Sequence, residues 1–342
     1  MNGNITGNKA DSFNVLENVE KSGVFSGPIF KRIGDYLCFF AATIGFDLVF
    51  VLFMTTLLVV TVWLLDGHIR FFQASIILPL GIMAAAVIIK SIQIPAKALK
   101  NSIIILRDWI PFLFIAFIYE NLHDIAGRID HYDVARYMFH WDGLLFGIQP
   151  TIWAQHLFNP LFTDIMSISY ASYFTLPLAI MFFLSLAGER NLFRSMVLCI
   201  SFTFVIGFIC YTFFPCSPPR YFMESMYTNP HTLTGFFLYN KLQGMWDGLS
   251  VISGGAFPSL HVGISTVALI YAYKYRKISK LNKVIWYLYI PLVTSLWFST
   301  VYLRHHWVVD IIAGWLVAIG SYFLAERLLK IWLHMRKRFS IS

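Results

Sequence analysis

The sequence predicts an all-α fold, a polytopic membrane bundle of about eight transmembrane helices with one interfacial helix, on three observations. The 342-residue chain is 58% hydrophobic and only 13% charged, about half the charged share of an ordinary soluble protein. Its apolar residues fall into runs near the roughly 20 residues that cross a hydrocarbon core of about 30 Å. Twenty of the 26 Lys and Arg residues fall in segments that eight spans would place on one side, as the positive-inside rule requires of cytoplasmic loops.

Residues 1–33 are polar, rich in Gly, Asn and Ser, and end in Lys31 and Arg32; they read as a disordered cytoplasmic tail without a cleavable signal. Expected spans follow near 36–62, 71–93, 103–120, 162–186, 193–214, 258–274, 284–302 and 306–328. The first is long and carries Asp47, so tilting or an interfacial start is expected there. Both termini then face the cytoplasm, and residues 331–342 form a basic tail. The net charge of +8 is explained by inner loops beside anionic headgroups rather than by nucleic acid. Cys38, Cys199, Cys210 and Cys216 show no metal-ligand or disulfide spacing and read as packing residues.

The two long outer segments hold the polar residues. Residues 121–161 include "DGLLFGIQP", consistent with an interfacial helix followed by a Gly/Pro turn. At the outer ends of later spans stand "CSPPRY" with Arg220, "GGAFPSLHVG" with Ser259 and His261, and "RHHWVVD" with Arg304, His305, His306 and Asp310. Each has a plain structural reading: an arginine snorkelling to headgroups, a hydroxyl at a helix start, a polar cap at the membrane boundary. Together they compose a reaction. His306 and Asp310, four apart, share a helical face, whereas His305 points about 100° away. The carboxylate can hold one ring nitrogen protonated and leave the other nucleophilic. His261 can protonate a departing oxygen and then activate an acceptor. Arg220, Ser259 and the amides of a helix first turn suit phosphoryl oxygens. This chemistry needs no metal and no cofactor.

These motifs resemble the type 2 phosphatidic acid phosphatase superfamily. Pro258-Ser259-Leu260-His261 matches its P-S-G-H motif with leucine for glycine, and His306 to Asp310 matches H-x-x-x-D. The resemblance implies a phosphohistidine on His306 with His261 as acid and base. Two departures stand out: Phe213 and Thr300 occupy positions where the family supplies a lysine and an arginine, so Arg304 and His305 are expected as substitute phosphate ligands, or the substrate is a less charged phosphodiester. "PPRY", "FPSLH", "HHWVVD" and the preceding "DGLLFGIQP" resemble the inositolphosphotransferase branch over roughly residues 120–325. That likeness implies transfer of a phosphorylated headgroup from a glycerophospholipid to a lipid alcohol, with hydrolysis of a lipid phosphate as the alternative. It sets the expected organisation: N-terminal helices at 34–120 and a catalytic membrane domain at 121–330, with lipid substrates as partners, no nucleic acid, and the oligomeric state open. A transporter is the rival class, but Asp47 is the only acidic residue well inside a span; paired mid-helix histidines for haem are absent.

Overall fold

The computed structural model describes residues 28–64, 105–115, 132–228, 233–249 and 254–339. Among them no strand forms, and one isolated parallel bridge joins Cys216 to Gly255. The helices are α1 (Ile29–Ile44), α2 (Phe46–Leu64), α3 (Ala135–Phe146), α4 (Pro150–Trp153), α5 (Pro160–Leu186), α6 (Arg190–Phe213), α7 (Pro219–Phe222), α8 (Tyr239–Leu249), α9 (Leu260–Tyr275), α10 (Lys280–Tyr302) and α11 (Val308–Arg338). Residues 105–115 are also helical.

Among the described residues four helices, α5, α6, α10 from Asn282 and α11, are long and apolar enough to cross a membrane, or five spans if the bent pair α1 and α2 counts as one. The chain is thus an integral membrane protein, while the described residues do not reach the expected eight spans. The expected span at 71–93 lies outside them, and that at 103–120 mostly so. The expected span at 36–62 is broken at Gly45, whose φ of 107° suits glycine alone, and the axes of its two halves meet at 110°. The expected span at 258–274 is the 16-residue α9, roughly 24 Å long and short of the hydrocarbon thickness. It is buried around most of its circumference from Val262 to Ala272, as befits a helix surrounded by others.

The chain divides into two compact units, one comprising residues 1–57, 71–114 and 326–342, the other 58–70 and 115–325. In the first, Arg107 pairs with both Asp47 and Asp108, which accounts for an acid inside an apolar helix. Arg338 pairs with Asp35, and Trp332 donates to the carbonyl of Ala42. The basic residues 336–338 form the last turn of α11, where cations suit the helix dipole.

In the second unit α9 packs against α5, α6 and α10. Two glycines bring α11 onto it. A Cβ on Gly314 would stand 2.6 Å from the Ser259 carbonyl, and one on Gly263 would stand 3.0 Å from Thr203 and 3.5 Å from the Gly314 carbonyl. This close approach sets the starts of α9 and α11 side by side. The expected turn after the outer helix is present: α3 ends at Gly147, φ 69°, and Pro150 opens α4.

Candidate active site

The turn between α10 and α11 carries three of the expected residues. The Thr300 carbonyl accepts from the amides of both His305 (2.9 Å) and His306 (3.1 Å), reversing the chain within a few residues. Arg304 takes a φ of 62°, uncommon for a residue with a side chain, and its carbonyl accepts from the Arg220 amide at 3.0 Å. Trp307, fully buried, donates to the Ser217 carbonyl at 3.1 Å and meets Phe139 and Phe222 edge-on. Two carboxylates then close the start of α11. Asp310 accepts from the Trp307 amide at 2.9 Å. Asp142, from α3, accepts from the amides of Val308 (3.0 Å) and Val309 (2.9 Å). Asp142 has no exposed surface, and burial raises its pKa above the usual carboxylate value even though the two amides oppose the shift.

The start of α9 is built by the bridge between Cys216 and Gly255. Cys216 donates its amide to the Gly254 carbonyl, and the Ala256 amide donates to the Cys216 carbonyl. Ser259 is the N-cap: its hydroxyl oxygen accepts from the Val262 amide at 3.3 Å, and its own amide donates to the Asp310 carbonyl at 3.1 Å. Pro258 therefore precedes the cap. Leu260 and His261 supply the first-turn amides that have no partner within a helix.

His306 sits between the two helix starts. Its Nδ1 lies 2.9 Å from the Ala256 carbonyl and 3.5 Å from Asp310 Oδ2, while its Nε2 lies 3.3 Å from His261 Nδ1. A carbonyl can only accept, so Nδ1 carries the proton, and in the neutral ring Nε2 keeps its lone pair. The expected carboxylate is present, but the carbonyl is the nearer partner, because Asp310 Oδ2 also caps the Trp307 amide.

His305 lies on another surface of the site. Tyr170 stacks on both His261 (centroids 4.4 Å apart) and His305 (4.5 Å), and Trp246 meets His305 edge-on. The His305 Nε2 is buried without a hydrogen-bond partner. Burial, then the charge of Arg220 and the neighbouring His306 and His261, hold its pKa well below the usual histidine value, so it stays neutral. Arg220 is near enough for that effect, and its guanidinium also lies over the Tyr221 ring at 4.6 Å. Arg304 is buried, with its guanidinium 3.7 Å from the Tyr227 ring centroid.

His261, Ser259, His305, His306, Asp310 and Arg220 thus gather in one place, with Arg304 turned onto an aromatic face. Neither departure position adds positive charge: Phe213 is 62% exposed at the end of α6, and the buried Thr300 hydroxyl donates to the Trp297 carbonyl. Sequence reasoning missed Asp142, Tyr170, Trp246 and the Ala256 carbonyl. Asp142 stood in a quoted motif, yet only folding reveals which amides it caps.

Residues 137–324 match the sequence model of the PAP2 superfamily. Among characterised relatives, the inositol phosphorylceramide synthase catalytic subunit of Saccharomyces cerevisiae is 35% identical over 122 residues, covering 32% of this chain and 28% of that protein. The phosphoinositol dihydroceramide synthase of Bacteroides thetaiotaomicron is 28% identical over 170 residues, 45% of this chain and 53% of that one. The inositol phosphorylceramide synthase of Candida albicans is 26% identical over 159 residues, 43% and 32%. The chain therefore spans from about a quarter to about half the length of these relatives. No solved structure matches.

Proposed function

The chain belongs to the PAP2 superfamily, and on that premise we propose that it transfers an inositol-phosphate headgroup from a glycerophospholipid to the hydroxyl of a ceramide-type lipid. The relatives named above support the headgroup and acceptor. The observation that carries the chemistry is His306 Nε2 facing His261 Nδ1 at 3.3 Å, with Nδ1 held by Ala256 and Asp310.

In the first step the Nε2 lone pair of His306 bonds to phosphorus as the bond to the glycerolipid oxygen breaks, and that oxygen takes a proton from His261. In the second, the acceptor hydroxyl returns a proton to His261 while its oxygen bonds to phosphorus and the nitrogen–phosphorus bond breaks. The phosphohistidine between the steps keeps Nδ1 protonated and shared between Ala256 and Asp310, which stabilises the imidazolium formed on attack. Arg220 and the first-turn amides of α9 neutralise the phosphoryl oxygens. The lack of charge at Phe213 and Thr300 suits a phosphodiester, which carries one negative charge fewer than a doubly ionised monoester. The basic-residue asymmetry supports a site on the non-cytoplasmic face of an eight-span bundle with both termini inside. Labelling should find a cysteine at exposed Thr228 open to an impermeant reagent from outside, and one at Lys277 closed to it.

The deciding experiment incubates purified protein with a headgroup-labelled phosphoinositide, with and without ceramide. A labelled sphingolipid that forms only with ceramide is expected. Free inositol phosphate formed at an equal rate in both reactions would make the enzyme a hydrolase.

A further inference from the structure

Residues 233–249 form a strap tied to the first turns of α5. The Asp164 carboxylate accepts from three successive amides, those of Phe237 (2.9 Å), Leu238 (3.1 Å) and Tyr239 (2.9 Å). Gly235 lies so close that a Cβ there would collide with the same carboxylate. The strap has two unlike sides. Inward, Tyr239 and Trp246 pack with Met166, Tyr170 and Tyr302, and Trp246 stands edge-on to Tyr170 and His305. Outward, Phe236 is 62% and Phe237 79% exposed.

Their anchor, Asp164, belongs to a helix with an exposed apolar row. On α5, one of the membrane-spanning helices, Leu161, Ile165 and Ile168 are exposed at spacings of four and three, hence on one face. Asp164 precedes Ile165 in the chain and ties the backbone of residues 237–239 to the same turn of α5. Two adjacent exposed phenylalanines tied to the first turns of a span match a bilayer rather than water.

We propose that Phe236 and Phe237 insert among the lipids of the leaflet next to the site, making the strap a fixed threshold with lipid on one side and the His305–Tyr170 stack on the other. A lipid substrate then enters laterally across the strap, a consequence that rests on the lipid-transfer reading above.

The insertion is tested without turnover. In proteoliposomes, with Cys38 and Cys210 replaced by serine, a fluorophore is placed on Phe237→Cys, on Ile168→Cys as a lipid reference and on Lys277→Cys as an aqueous one. Nitroxide-bearing lipids should quench positions 237 and 168 alike, and aqueous iodide should quench 277 alone. Iodide quenching at 237 equal to that at 277, with no quenching by the lipids, overturns the proposal. For the substrate path, Phe236→Ser/Phe237→Ser should raise KM for a bilayer-borne donor about tenfold and leave kcat and the rate on a short-chain soluble donor nearly unchanged. Equal losses on both donors would remove the lateral path. A chain without transferase activity whose position 237 is quenched by lipid would keep the insertion and overturn the functional reading instead.

Discussion

Two helices begin at the site, and their beginnings are built in opposite ways. The start of α9 is capped by its own Ser259 and leaves the amides of Leu260 and His261 without a helical partner. The start of α11 is closed by carboxylates, Asp310 from within and Asp142 from α3, and so repels an anion. Under the proposed transfer the difference divides the work: an anionic phosphoryl group suits the α9 end, while the α11 end would hold the proposed nucleophile still. Neighbouring histidines divide in the same way, since both ring nitrogens of His306 have partners and the His305 ring is held by aromatic stacking.

The largest expected effect tests the closed end. His306→Ala should abolish turnover in the labelled-lipid assay, whereas His305→Phe, which keeps an aromatic ring against Tyr170, should retain a substantial rate. Full activity in the first variant, or its loss only in the second, would assign the wrong histidine.

The open end is sharpened by Arg220→Lys, because an ammonium cannot reproduce the paired donors of a guanidinium. Loss of such a donor should lower kcat on the order of 100-fold. Arg304→Lys should be milder, since that guanidinium lies on Tyr227. Equal losses in the two variants would place both arginines on the phosphate.

Asp142→Asn separates positioning from folding. The amide can still accept one of the two α11 hydrogen bonds but sets its own N–H groups against the other donor. Stability should fall by about 1 kcal/mol, as for a lost helix cap. In addition kcat should fall on the order of tenfold with KM little changed, because a displaced nucleophile misses its target. A lower melting temperature with unaltered kcat would make Asp142 a cap and nothing more.

The smallest effect is on pH dependence. The pKa of folded His305 lies below its unfolded value, so the unfolded chain takes up a proton that the folded chain refuses. The stability this contributes is complete above about pH 6.5 and is lost as pH falls toward the folded pKa. Melting temperatures from pH 8 to 5 should therefore decline less steeply in His305→Phe than in the parent; parallel curves would mean that His305 takes up its proton in the folded site as readily as in the unfolded chain.

Much of this was legible in the residues themselves. Membrane residence follows from composition, because apolar runs of helical length have no other stable solvent. His306 and Asp310 could be paired by their spacing of four, and they do meet at 3.5 Å, although His306 lies in the turn before α11 rather than on a shared helical face; Ser259 could be read as a helix start, because both are relations local in the chain. The break at Gly45 was not legible, since "TIGFD" sits inside one otherwise apolar run, where Asp47 signalled tilting rather than a break, and only the backbone angle interrupts the helix.

What the sequence determined by itself is the set of proposed reacting groups and the solvent they would work in. Tertiary structure alone decided their wiring. The Ala256 carbonyl fixes the His306 tautomer across 50 residues, Asp142 closes α11 across 166, and Tyr170 joins His261 to His305 from a third helix. A backbone carbonyl leaves no signature in a residue code, and a carboxylate's partner amides are chosen by which helix ends meet, here through the close approach that Gly263 and Gly314 allow.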